Sequence, residues 1–485
     1  MNPLAFFLSK IDIKTDIFVA VFVVAIVYLG ASSDLSSPHQ VILFAPIAIL
    51  LYFTAYILNH KVMAMLYFAA LFFGMVTYSI TPFGIIMLSD FLFPGLALSL
   101  LISNKLSKDD LRSPIFISLV VFCGFSIFSG LVGIPFMQAK MINNSIIDPR
   151  YIAVIYIYRF IQLPVVYLFV IDNLKESNVI KKIVIFCILL QLFIAFFEIF
   201  VFPTNTADFA ARARGTLYPL HMVIGQYLIT SIPILMACFT EKTGAIIKTF
   251  WGIIVSYTVY VIVAAASRGS TLGLAAMFGS FVFFNIRFNK KSIIILVASI
   301  ILIFLTYRFT PVQSHIDRTF IGGAGNFSAL DVSSVGRFFI WQGALNAFEN
   351  SSLLHKIIGN GPGSFVGLDL GVLLFDNERH SPGGHNQILH LLVEVGIVGI
   401  ILFLIHSGII ILQFLKRKDF LSLVFVCMTI GLHAVGLTYE VFLPQNNWWI
   451  YYITVLGIFV ARTSPEKTIP IQDNKKGEFE CQKYL

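Results

Sequence analysis

The sequence predicts an all-α polytopic membrane protein with about 12–14 transmembrane helices and one large loop on the outer side. Three observations predict it. Of 485 residues, 58% are hydrophobic and 12% are charged, too few charges to cover a soluble surface of this size. Apolar runs of about 20 residues, enough to cross a hydrocarbon core of about 30 Å, recur along the chain. The basic residues fall into alternate connections between those runs, as the positive-inside rule requires.

The runs lie near 15–31, 41–59, 62–80, 82–102, 114–134, 151–171, 179–202, 217–240, 246–266, 269–286, 292–308, 386–415, 420–438 and 447–461. The run after Lys14 ends at Ala31-Ser32-Ser33, and further spans follow at once, so it reads as a retained first helix. With the N-terminus in the cytoplasm, 22 of the 33 Lys and Arg fall in cytoplasmic connections or the tail, and the C-terminus is cytoplasmic as well. The expected organisation is residues 1–308 as helices 1–11, 309–384 as a periplasmic loop, 385–463 as helices 12–14, and 464–485 as a polar, disordered cytoplasmic tail. Within the loop, Gly336 to Asn350 reads as an amphipathic helix, with Phe339, Ile340, Ala344, Ala347 and Phe348 near helical spacing. Gly359-Asn360-Gly361-Pro362-Gly363 reads as a tight turn.

The net charge of +8 is accounted for by topology and does not point to nucleic acid. Cys123, Cys187, Cys238 and Cys427 lie in apolar runs and Cys481 in the tail, so no disulfide is expected. No C-x-x-C pair suggests zinc.

The basic residues that break the topology rule are the informative ones. Arg212, Arg214, Arg268 and Arg337 fall on the outer side. Snorkelling or a local ion pair, such as Arg337 with Asp331 or Glu349, accounts for one such arginine. Four of them at one face point to a ligand, because a guanidinium fork matches phosphate oxygens and holds its charge at any working pH. Glycines beside Arg214 and Arg268 allow close backbone approach. Gly384-His385-Asn386 opens the twelfth span on the same face. His385 there has two readings: a general base for a hydroxyl acceptor, or a cap bonded to its own helix. Glu394 lies about 13 Å deeper along that helix and reads as an intramembrane structural partner. Gly396, Gly399 and Gly408 read as close helix-packing positions. Asp376-Asn377-Glu378 could hold a divalent cation, but a solvated loop is the expected reading.

Taken together, these segments resemble the O-antigen ligase and O-antigen polymerase superfamily. The match runs through Gly384-His385-Asn386-Gln387-Ile388-Leu389 into Val393-Glu394-Val395-Gly396-Ile397-Val398-Gly399. It also includes Arg214-Gly215-Thr216, Arg268 with Leu272, Gly336-Arg337 with Trp341, and Gly359 to Phe365. The resemblance covers about 205–400, and the first 200 residues match only as hydrophobic helices. It implies a C-type glycosyltransferase-like fold in the bacterial inner membrane, acting without metal or other cofactor. The donor it implies is an undecaprenyl-diphosphate-linked glycan. By the same resemblance, Arg214, Arg268 and Arg337 hold the diphosphate; Asn386, Glu394 and Arg212, which departs from the family's segment, are neighbours. His385 deprotonates the acceptor hydroxyl, which attacks the anomeric carbon with inversion. The acceptor is another lipid-linked repeat for a polymerase, the slightly favoured reading, or lipid A–core for a ligase. A chain-length regulator is an expected partner of a polymerase. A transporter or flippase is the competing class, but it predicts paired halves with broken helices near the midplane, and no such symmetry is visible.

Overall fold

A computed structural model describes residues 60–72, 77–79, 85–103, 106–142, 145–174, 178–201, 221–241, 244–265, 267–285, 327–367, 384–439, 441–442 and 448–462. The expected spans 15–31, 41–59 and 292–308, Arg212, Arg214, the pair Asp376 and Glu378, and the C-terminal tail lie outside these residues.

The described chain is helical apart from two short hairpins. The helices are α1 (His60–Ala70), α2 (Leu88–Ser103), α3 (Lys108–Arg112), α4 (Pro114–Gly133), α5 (Pro149–Leu174) and α6 (Val179–Phe196). They continue with α7 (His221–Thr240), α8 (Ala245–Ala264), α9 (Arg268–Asn285), α10 (Phe327–Glu349) and α11 (Leu353–Ile358). The chain then forms α12 (Gln387–Leu415), α13 (Phe420–Gly436) and α14 (Trp448–Arg462). Among the described residues, five helical segments are long and apolar enough to cross a membrane, and five shorter apolar helices accompany them. The chain is a multi-pass helical membrane protein.

From residue 114 onward, the described spans start and stop within a few residues of the expected positions. One correction falls earlier. The expected span 62–80 is helical only to Ala70, and Thr77–Ser79 pairs antiparallel with Ile85–Met87. Because Ile85–Met87 is a strand, the helix expected from residue 82 starts only at Leu88. A second hairpin, Lys140–Ile142 with Ser145–Ile147, joins α4 to α5. The amphipathic helix expected from Gly336 begins earlier, at Phe327.

Close packing holds the helices in register. α9 lies along α13, where a Cβ on Gly431 would sit 2.6 Å from the Gly273 carbonyl oxygen, so these two backbones touch. Aromatic rings fill the centre: Tyr227 stacks on Tyr451, and Phe122, Phe160 and Trp449 pack together. α1, α2 and α5 are joined by a buried polar network. Arg159 Nη2 lies 2.6 Å from Asp90 Oδ2, Gln162 donates to Asp90 Oδ1 at 2.9 Å, and Tyr67 donates to Gln162 at 3.3 Å. Arg159, which sequence placed within a span, thus has its charge met by a buried partner.

Candidate functional site

The site is built at one end of the bundle, where the starts of α5, α7, α9 and α12 meet the ends of α4 and α13. Its base is a break in α12. Gly396 has φ 67° and ψ −170°, a backbone region almost confined to glycine. A break there turns the preceding carbonyls away from their helical donors. The loop meets them instead. Asn360 donates to the Val393 carbonyl through its backbone N (2.9 Å) and through Nδ2 (3.1 Å). Gly361 N (2.9 Å) and Ser129 Oγ (3.0 Å) donate to the Glu394 carbonyl. Irregular backbone at membrane depth is tolerated where protein satisfies it in this way.

The Gly359–Gly363 turn is therefore a plug between α4, α5 and α12. Gly359, Gly361 and Gly363 all have positive φ. A Cβ on Gly359 would lie 2.2 Å from the Glu394 carbonyl oxygen, and one on Gly363 would lie 2.7 Å from Ala153 N. The buried Glu394 carboxylate caps the plug, accepting from Gly363 N at 2.8 Å and from Phe365 N at 3.3 Å. Its Oε1 also lies 3.0 Å from His390 Nε2. Glu394 is thus a partner to the loop, as its position in the span suggested. Gly396 does more than permit helix packing: it makes the opening that the loop fills.

His385 sits just before α12. Its φ is 46°, one of two non-glycine residues with positive φ among the described residues. Asn386, not His385, caps the helix: its Oδ1 accepts from Ile388 N (3.0 Å) and Leu389 N (3.1 Å). The capping role that sequence left open for His385 is therefore taken. Asn386 Nδ2 donates to the Leu437 carbonyl at 3.2 Å, and Gln387 Oε1 accepts from Phe442 N at 2.7 Å, which ties the start of α12 to the chain beyond α13. The half-buried His385 ring lies 6.0 Å from the Tyr439 ring in that turn.

Arg268 is the first residue of α9, following Ser267, whose Oγ accepts from Ser270 N at 3.3 Å. A Cβ on the adjacent Gly269 would lie 2.5 Å from Thr438 Oγ1. The Arg268 backbone and the His385 segment therefore meet the same turn, residues 437–439. Arg337 is half-buried on α10. That helix packs through Ile340 and Ala344 against Phe365 and Val393, and Phe365 in turn touches Gly384. At the same end, Asp148 accepts from the exposed Arg150 guanidinium at 2.6–3.0 Å, which holds its carboxyl below the usual range. No group of three or more potential metal ligands occurs among the described residues.

His390 was missed at the sequence level. Its spacing of four from Glu394 was a readable signal for a helical pair. The docking of the Gly359–Gly363 turn into α12 had no such signal, because it depends on the break at Gly396.

Fold and site together define a multi-pass membrane protein in which a loop is plugged into a broken helix beside a left-handed histidine. Residues 253–404 match the family model described as O-antigen ligase, a stretch that holds Arg268, Arg337, His385, Asn386 and Glu394 but not Arg214. The resemblance read from the sequence is borne out over that stretch. A Rickettsia conorii protein provisionally named a polysaccharide ligase is 26% identical over 290 residues, 58% of this chain and 65% of its own length. An uncharacterized Haemophilus influenzae protein is 23% identical over 333 residues, 60% of this chain and 80% of its own length. The match thus spans less than two thirds of the Rickettsia relative.

Proposed function

We propose that this protein is an inner-membrane glycosyltransferase that polymerises undecaprenyl-diphosphate-linked oligosaccharides at the periplasmic face. The observation that carries the reading is the placement of His385. It is held out of the helix, relieved of capping by Asn386, beside the turn that the start of α9 also meets. A histidine so placed can take the proton of an acceptor hydroxyl. The hydroxyl oxygen then bonds to the anomeric carbon from the face opposite the diphosphate, whose C–O bond breaks with inversion. The proton stays on His385 and the diphosphate departs with the electron pair. Arg268, Arg337 and Arg214 neutralise it, the role of preorganised positive charge at a leaving group. No step needs a metal ion. The distribution of Lys and Arg supports placing this end in the periplasm, with both termini in the cytoplasm.

A ligase reading is kept because the matching family model and the Rickettsia relative both carry that description. The two separate in one assay, using purified protein and a defined undecaprenyl-diphosphate oligosaccharide, with and without lipid A–core, run on a gel. A ladder from the lipid-linked repeat alone is the expected result. A single shift that requires lipid A–core makes the protein a ligase. No product in either tube contradicts the glycosyltransferase reading and favours a transporter.

A further inference from the structure

His390 has no part in the chemistry above, yet it is fully buried directly behind His385. Its Nδ1 accepts from Gly384 N at 3.2 Å, so that nitrogen carries no proton in this arrangement. The ring proton is then on Nε2, which lies 3.0 Å from Glu394 Oε1. The imidazole also stacks on Phe365, with centroids 4.6 Å apart and planes at 19°. Phe365 is fixed by its own N–H on Glu394. Gly384 is also confined by the same stacked pair, since a Cβ on it would lie 3.3 Å from two Phe365 ring atoms and 3.4 Å from His390 Cβ.

Gly384 immediately precedes His385, and the N–H that His390 accepts from lies two backbone torsions before the φ of His385. That φ, 46°, is one an L-residue adopts only where its surroundings hold it. The support runs from the Phe365 stack through His390 to the Gly384 amide, and so to the backbone entering His385. We infer that His390 is a positioning residue, anchoring the backbone at Gly384 so that the chain enters His385 in its left-handed conformation. The inference rests on the reading of His385 as the acceptor base. It extends that reading by naming what orients the base, much as an orienting group fixes a catalytic histidine elsewhere.

The test uses the full-length protein and the gel assay, with three substitutions chosen by geometry. His390→Asn keeps an acceptor where Nδ1 stands. His390→Gln keeps the reach to Glu394 but offers Gly384 no acceptor. His390→Phe keeps the packing on Phe365 and loses both polar contacts. A displaced base costs on the order of tenfold to hundredfold in kcat, so that loss is expected for His390→Gln and His390→Phe, with donor KM unchanged. His390→Asn should stay close to wild type. Equal losses in all three, in step with lost thermal stability, would show a packing role only and overturn the inference. A raised KM at constant kcat would overturn it too. His385→Ala run alongside separates the two ideas. If it retains turnover, the base reading fails. If it is inactive while His390→Phe turns over normally, only the positioning role fails.

Discussion

Replacing Glu394 tests whether the loop is held by hydrogen-bond acceptance in the broken helix. Glu394→Ala removes the acceptor of two amides, Gly363 N and Phe365 N, and a contact of His390. Glu394 and Phe365 are each no more than 1% exposed, so water does not readily replace the lost oxygen. A buried donor left unpaired costs about 1–3 kcal/mol, so two amides set the loss at about 2–6 kcal/mol against the docked loop. At about 1.4 kcal/mol per tenfold, the undocked population rises by at least about thirtyfold. Hydrogen exchange by mass spectrometry on peptides covering 352–367 reads this directly, and their protection should fall accordingly. Glu394→Gln keeps the oxygen at the Oε1 position and loses only the charge, so its protection should fall far less. Unchanged exchange in Glu394→Ala would refute the plug. Equal losses in the two variants would show that charge, not the placed acceptor, holds the loop.

Three further outcomes follow from the same geometry. Gly396→Ala forces a side chain into the gap, where its Cβ would lie 2.5 Å from both Gly359 N and Ile357 O. It also meets a backbone region costing about 1–3 kcal/mol, so undocking of 352–367 should be at least as complete as in Glu394→Ala, read by the same exchange. Asp90→Ala leaves Arg159 buried beside an empty position, and loss of one partner of a buried pair costs about 3–5 kcal/mol, which should appear as a lower unfolding temperature in detergent. Arg268→Ala should lower kcat by about a hundredfold or more with folding intact, the usual loss when a charge-stabilising group at a leaving oxygen is removed. An Arg268→Ala enzyme of normal kcat would remove that arginine from the diphosphate site.

Much of this architecture was legible because lipid imposes simple rules. Length and charge placement located the ends of α4 to α9 and α12 to α14 closely, since a span must satisfy its own backbone and basic residues mark the connections. The failure at 62–87 has a physical cause. Runs such as Ile85-Ile86-Met87 are apolar all round, and a short apolar run does not distinguish strand from helix. Gly396 read as a packing glycine because its positive φ arises only from the loop that enters the break. Asn386 and His385 were adjacent candidates for the cap, and only the structure shows that Asn386 takes that role. His390 was hidden for a different reason: the Gly384 amide and the Phe365 ring are brought to it by the fold, and only Glu394 stood at helical spacing from it.

The central claim is that His385 is the base for glycosyl transfer. The most direct measurement compares wild type and His385→Ala, both purified and matched for unfolding temperature, on the defined undecaprenyl-diphosphate oligosaccharide. The account predicts a ladder from wild type and, in the variant, a loss of turnover of at least the hundredfold typical of a missing general base, with donor binding retained. A variant that builds the same ladder at the wild-type rate would contradict it.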